Sequence, residues 1–177
     1  IEAEVLDPLG RRIRSAFGLL PDGETAVIEM ALASGLELVR RDELDPIKAS
    51  TIGTGMLMQA ALEAGAKRII VGIGGSATSD GGAGCLRALG VRLLDANGNL
   101  LPTGADALAQ VTQIDFGGLD SRWQQVEVIL AADVENPAVG PSGAAAVYGP
   151  QKGASPADVD YLDRGLTHFF SVIASQT

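Results

Sequence analysis

Apolar and polar positions alternate from the first residue, and the pattern predicts a β-hairpin. Residues 1–7 and 12–20 read as strands, with Asp7-Pro8-Leu9-Gly10 as the turn. A third strand is predicted over 25–30, then a helix over 31–39 and a charged loop over 40–47, broken by Pro46. The next helix is expected from an N-cap at Thr54 to Ala64, with Leu57, Ala60, Ala61 and Ala64 as its apolar stripe and Gly65 as its stop. The β-branched run at 69–73 has no polar face and predicts a strand buried on both sides. A loop of glycines and hydroxyls follows, then a short helix over 83–89.

Beyond it, 91–95 reads as a strand ending in the turn Asn97-Gly98-Asn99, 104–110 as one or two helical turns, and 111–116 as another strand. A second unbroken apolar run, 126–132, predicts a further buried strand with Asp133 at its carboxyl end. The Gly- and Ala-rich stretch 137–154 is expected to fold over a cleft, with a short helix near 143–148. The last helix opens on Ser155-Pro156-Ala157-Asp158 and carries the stripe Val159, Leu162, Leu166, Phe169, Phe170 and Ile173. His168 falls opposite Val159 and is expected to be exposed. The sum is one α/β domain, a mixed sheet flanked by helices around a single core.

Composition narrows the function classes. The chain has 177 residues, enough for one core, and its 46% apolar and 20% charged content is that of an ordinary globular protein. A formal charge of −9 argues against a nucleic-acid surface, which wants a basic stripe. With one cysteine, Cys85, no internal disulfide can form, so a reducing, cytoplasmic setting is expected. No apolar run reaches membrane-spanning length. The chain begins without Met, inside a strand pattern, so a piece of something longer is expected.

The candidate chemistry centres on Gly74-Gly75-Ser76-Ala77-Thr78-Ser79-Asp80-Gly81-Gly82. Few side chains guard that loop, so a ligand can approach its backbone, and the next helix aims its free amides at the approach. The wording matches neither the Walker P-loop nor the dinucleotide fingerprint. Ser76, Thr78 and Ser79 either donate to a phosphate or hydroxy acid or close their own turn. Asp80 either caps the helix or holds Mg²⁺ or a substrate hydroxyl. Asp133 lies where open α/β sheets place ligand crevices, yet a strand-end Asp also serves the next turn. Lys152 stands in a glycine-flanked loop from which its ammonium can reach an anion, or solvent. No Cys/His cluster has metal-ligand spacing, and the one histidine leaves little for a Ser–His–Asp site.

The stretch Gly72-Ile-Gly-Gly-Ser-Ala-Thr-Ser-Asp-Gly-Gly-Ala-Gly84 closely resembles the glycine-rich motif of the bacterial glycerate kinases. The likeness continues through Ala88-Leu-Gly-Val-Arg-Leu-Leu-Asp95, Ala132-Asp-Val-Glu-Asn-Pro137 and Gly149-Pro-Gln-Lys-Gly-Ala154. It reaches back to Asp7-Pro-Leu-Gly10, Ala26-Val-Ile-Glu-Met30 and Gly53-Thr-Gly55, and so spans the chain. Ser79 stands where the family often has Asn, and Ala132 where Cys is common.

The resemblance implies a glyoxylate-pathway enzyme that moves the γ-phosphoryl group of ATP, with Mg²⁺, onto D-glycerate to give 2-phosphoglycerate. It places the work on Gly74 to Gly82, Asp133 and Lys152; Asp80, Asp133 and Lys152 are the candidate catalytic residues, and Asp80 is also the candidate magnesium ligand. Family members are roughly double this length and resemble a two-domain protein with its cleft between the domains. Their opening Asp-Ser-Phe-Lys-Gly and later Thr-Gly-Glu-Gly segments are absent here. Residues 1–177 match the middle portion, expected to be the smaller domain inserted into a Rossmann-like one. The partners implied are glycerate, ATP and the flanking domain, and a homodimer is left open. Catalysis by the isolated chain is not expected. The competing reading is a stand-alone binding or structural module that kept the fold and lost the reaction.

Overall fold

The structure is a computed structural model and describes residues 1–176. The opening hairpin forms as the alternation predicts: β1 (Glu2–Leu6) pairs antiparallel with β2 (Arg12–Ala16). Asp7 fixes the turn between them. Its buried carboxylate accepts the amides of Leu9 and Arg11, both at 2.9 Å, and the Arg11 guanidinium at 2.5 Å.

The chain then runs through β3 (Gly18–Leu19) and β4 (Thr25–Glu29) into α1 (Ala31–Ser34). The helix expected over 31–39 is two pieces, α1 and a 3₁₀ turn at Leu36–Leu38. Gly35 separates them in an extended conformation, so close to α1 that a Cβ there would sit 2.2 Å from the Ala31 carbonyl oxygen. α2 (Ile52–Glu63) begins earlier than expected. Thr54 is not its cap but a buried residue of its first turn, its hydroxyl 2.7 Å from that of Ser34. Leu57, Met58, Ala61 and Leu62 form the buried stripe, and Ala64 is exposed.

β5 (Arg68–Gly72), the glycine loop and α3 (Ala83–Ala88) follow, then β6 (Arg92–Leu94), β7 (Gln113–Asp115) and β8 (Glu127–Ala131). The main sheet is mixed, in the order β3-β4-β5-β8, with β4, β5 and β8 parallel. β6 and β7 make a separate antiparallel pair. The apolar run of β8 is not a buried strand. All five of its residues are exposed, because β8 lies at the sheet's edge and no element of residues 1–176 covers it.

Two apolar clusters replace the single core expected. The first joins the hairpin, the main sheet and α2 around Ile28, Leu57 and Ile69. The second packs β6, β7 and the 3₁₀ segment Ala105–Gln110 against the last helix, around Leu108, Leu162 and Phe169. α4 (Ala144–Tyr148) leads to that helix, α5 (Pro156–Gln176). Its start is the reciprocal cap expected: the Ser155 amide donates to Asp158 at 2.8 Å and the Asp158 amide to Ser155 Oγ at 3.3 Å. Leu162, Leu166 and Phe169 are buried, with Val159, Phe170 and Ile173 packed at the margin. His168 is half-buried rather than exposed, its Nε2 lying 2.7 Å from the Val111 carbonyl. It ties α5 to the residue that ends the 3₁₀ segment Ala105–Gln110, just before β7.

Candidate active site

The glycine loop leaves the sheet at the carboxyl ends of the parallel strands. The Ile73 amide still bonds the Ala131 carbonyl at 3.2 Å, so β5 and β8 open onto the same edge. The loop is then fastened to the segment after α1. Leu36 donates to the Gly75 carbonyl and Ala77 to the Ser34 carbonyl, both at 2.9 Å. Gly75 has φ +70° and Gly82 φ +83°, a region costly for other residues.

The loop's glycines serve two purposes. A Cβ at Gly84 would meet Ser50 Oγ at 2.1 Å and the Ile52 amide nitrogen at 2.7 Å, so packing requires that glycine; one at Gly81 would press on Leu166 at 3.0 Å, and φ +59° there also favours glycine. A Cβ at Gly74 or Gly82 would meet nothing within 4 Å. Backbone conformation accounts for Gly82, while neither packing nor a positive φ accounts for Gly74, which leaves open backbone.

Lys152 comes to this place from 76 residues away. A 3₁₀ turn, Pro150–Lys152, folds its side chain inward until it is 8% exposed. The ammonium donates to Ser76 Oγ at 2.8 Å and to the Thr78 carbonyl. An ammonium has three donors, and no third acceptor is found among the described residues. Burial lowers its pKa to about 8, and the nearby negative charge of Asp80 partly opposes the shift.

Asp80 lies underneath, 1% exposed. Its Oδ2 accepts the Thr51 amide at 2.8 Å and the Gly84 amide at 3.1 Å, and Oδ1 accepts the Gly82 amide at 3.2 Å. The Thr51 hydroxyl adds a bond shared between the two oxygens, at 3.0 and 2.9 Å. Four donors fill the lone-pair sites of one carboxylate. Asp80 therefore does not fit a magnesium ion, and among the described residues no group of three or more acidic, His or Cys side chains offers an alternative. Its work is to hold the start of α3 against the start of α2.

Thr51 is the residue the sequence did not reveal. Besides binding Asp80, its Oγ1 accepts the Cys85 amide at 2.9 Å, so one hydroxyl joins two helices and the loop. Only the partnership of 51 with 80 and 85 gives it meaning, and no local pattern carries that. Cys85 is half-buried, and its thiol is pushed up to about 12 by desolvation and then by the charge of Asp80, which disfavours the thiolate.

The structure thus brings Ser76, Thr78 and Lys152 together beside the open glycines, with Asp80 bracing them from below. Ser79 is half-buried and Asp133 exposed, neither with a hydrogen-bond partner among the described residues. Asp133 shares the sheet edge, two residues past Ala131, without a bond to Lys152 or the loop. The depression bordered by Asp22, Glu24, Lys67 and Glu127 lies at the amino ends of the strands, away from this chemistry.

Three kinds of comparison bear on this arrangement. A family model described as the glycerate kinase family matches residues 1–177. A Bacillus subtilis (strain 168) protein named glycerate kinase is 55% identical over 96% of this chain, which covers 44% of that protein. An Escherichia coli (strain K12) protein named glycerate 2-kinase is 50% identical over 97% of this chain and 45% of its own length. A crystal structure from Salmonella typhimurium LT2, named for glycerate kinase 2, superposes with a TM-score of 0.96 at 48% identity, covering 99% of this chain and 47% of that one. The chain spans less than half the length of these relatives.

Proposed function

The chain belongs to the glycerate kinase family, and on that premise we propose that the full-length protein phosphorylates D-glycerate with ATP, giving 2-phosphoglycerate in the cytoplasm. Residues 1–177 form the inserted middle domain of that protein and supply its anion-holding wall. The observation that carries this reading is the buried Lys152 ammonium, seated on Ser76 and Thr78 with a donor to spare, beside Gly74, which neither packing nor a positive φ requires.

Phosphoryl transfer asks the protein mainly for positioning and charge stabilisation. The hydroxyl oxygen of glycerate bonds to the γ-phosphorus as the bond to the bridging oxygen breaks, ADP departs, and the hydroxyl proton must go to a base. The Gly74 and Gly75 backbone lets the phosphate approach, the hydroxyls of Ser76 and Ser79 donate to it, and Lys152 neutralises charge in a site of low dielectric. Thr78 contributes through its carbonyl, which aims the ammonium. Asp133, exposed at the same sheet edge, is the carboxylate free to take the proton. Asp80, Gly81 and Gly82 shape the loop. The resemblance implies magnesium on the nucleotide; Asp80 is already saturated with donors, and among the described residues no group of three or more acidic, His or Cys side chains is assembled to hold it.

The test is ATP-dependent turnover by the full-length protein, with the product's phosphate position read by NMR. Wild type is expected to make 2-phosphoglycerate. Gly74→Val is expected to keep the wild-type melting temperature within about 2 °C and lose at least about 100-fold in kcat/KM. Normal kinetics in Gly74→Val, or a 3-phosphoglycerate product, would overturn the reading.

A further inference from the structure

The two edges of the main sheet are unlike. β3 ends it on one side with only Gly18 and Leu19, a short edge of the kind that resists further pairing. β8 ends it on the other with five residues in unbroken register, without proline, lysine or bulge. Val128, Ile129 and Leu130 there are 43%, 38% and 64% exposed.

The register shows that a layer is interrupted. Val128 and Leu130 lie beside Ile69 and Val71, which are buried, and so share their face of the sheet. The covered face of β5 continues onto β8 and there loses its cover. Ile129, beside Ile70, is bare on the opposite face. The backbone repeats the pattern. Glu127 donates its amide to Lys67 of the β5 side at 2.9 Å. By the alternation of a parallel ladder, the amides of Ile129 and Ala131 also face β5, and those of Val128 and Leu130 face outward.

We infer that β8 is an interior strand of a wider sheet in the full-length protein, paired along its free edge by an extended segment of the same polypeptide from outside residues 1–177. Relatives carry more than half their length outside the part this chain matches, which is room for such a segment. A strand bare on both faces and along its edge calls for a neighbouring strand with its own covering layer, which a helix laid on one face does not provide. β4, β5 and β8 are parallel. A parallel neighbour therefore ends beside Asp133 and the glycine loop, and delivers the side chains that follow it into the candidate site. The inference rests on sheet geometry and stands apart from the assignment of the reaction.

Hydrogen exchange on the full-length protein, resolved by residue, tests it, with the molecular mass followed by sedimentation in the same buffer. The Val128 and Leu130 amides are expected to exchange at least about 100-fold more slowly than unprotected amides, in the monomer, as Ile129 does. Free exchange at both, with Ile129 protected, overturns the proposal. Protection that disappears on dilution from dimer to monomer also overturns it and assigns the edge to a second copy. Turnover is not read, so a failure here is distinct from a failure of the kinase reading.

Discussion

The Lys152 ammonium is charged in surroundings that favour its neutral form. Its pKa in the fold is about 8, against an ordinary 10.5. Below about pH 8 the lysine is protonated folded or unfolded, and the burial penalty is present in full. Between about 8 and 10.5 the unfolded chain holds a proton that the folded chain has released, so this group's contribution to stability rises with pH across that window. Ligand binding moves the other way. An anion needs the charge, so ATP affinity in the full-length protein is expected to fall as pH rises past about 8, by up to about tenfold per pH unit. Lys152→Met is expected to bind roughly 10- to 100-fold more weakly at pH 7 and to lose that pH dependence. Calorimetric titration between pH 7 and 9 measures both. A wild-type affinity flat across that range would mean the ammonium does not touch the ligand. Asp80 is a different kind of residue: an acid at a helix start that also receives Thr51 from 29 residues away.

Elements with a local signature were legible in the sequence. The hairpin, the strand at 68–72 and the capped helix α5 each carry their pattern within a few residues. What misled was any feature whose explanation lies elsewhere in the chain. Thr54 looked like a cap because it precedes an apolar stripe, yet the preceding turn was already committed, with Thr51 turned toward Asp80. The run in β8 reads as buried, and residues 1–176 do not contain what would bury it. The candidate site divided likewise: the loop and Lys152 were visible as motifs, while the Thr51 bracket was not. The packing of α2 on α3 shows the same dependence. A Cβ at Gly55 would lie 2.5 Å from the Cys85 carbonyl oxygen and 2.7 Å from Ala88 Cβ. Gly55→Ala is therefore expected to lower the stability of the full-length protein by about 1–3 kcal/mol, although Ala is the better helix former. Chemical denaturation measures it, and an unchanged or raised midpoint would show that the helices part at no cost.

At the scale of the molecule, the proposed function makes the candidate site one wall of a cleft. Gly74 and Gly75 are exposed above the buried Lys152, and β8 ends its sheet with apolar side chains uncovered. Residues 1–177 alone are therefore expected to show no measurable phosphorylation of glycerate, at least about 1,000-fold below the full-length protein. A coupled ADP-release assay on both checks this, and equal turnover would place the whole site in this chain. No helix of the described residues is long and apolar enough to cross a membrane. The bond from Lys152 to Ser76 spans 76 positions of sequence, and that separation sets a schedule for synthesis. At about 5–20 residues per second, the glycine loop leaves the ribosome roughly 4–15 s before its lysine does. Through that interval the loop is without its cation, while β8 emerges with β5 already made to pair with it but with nothing among the described residues for its other edge. The loop's hydroxyl and carbonyl are thus made well before the cation that closes on them.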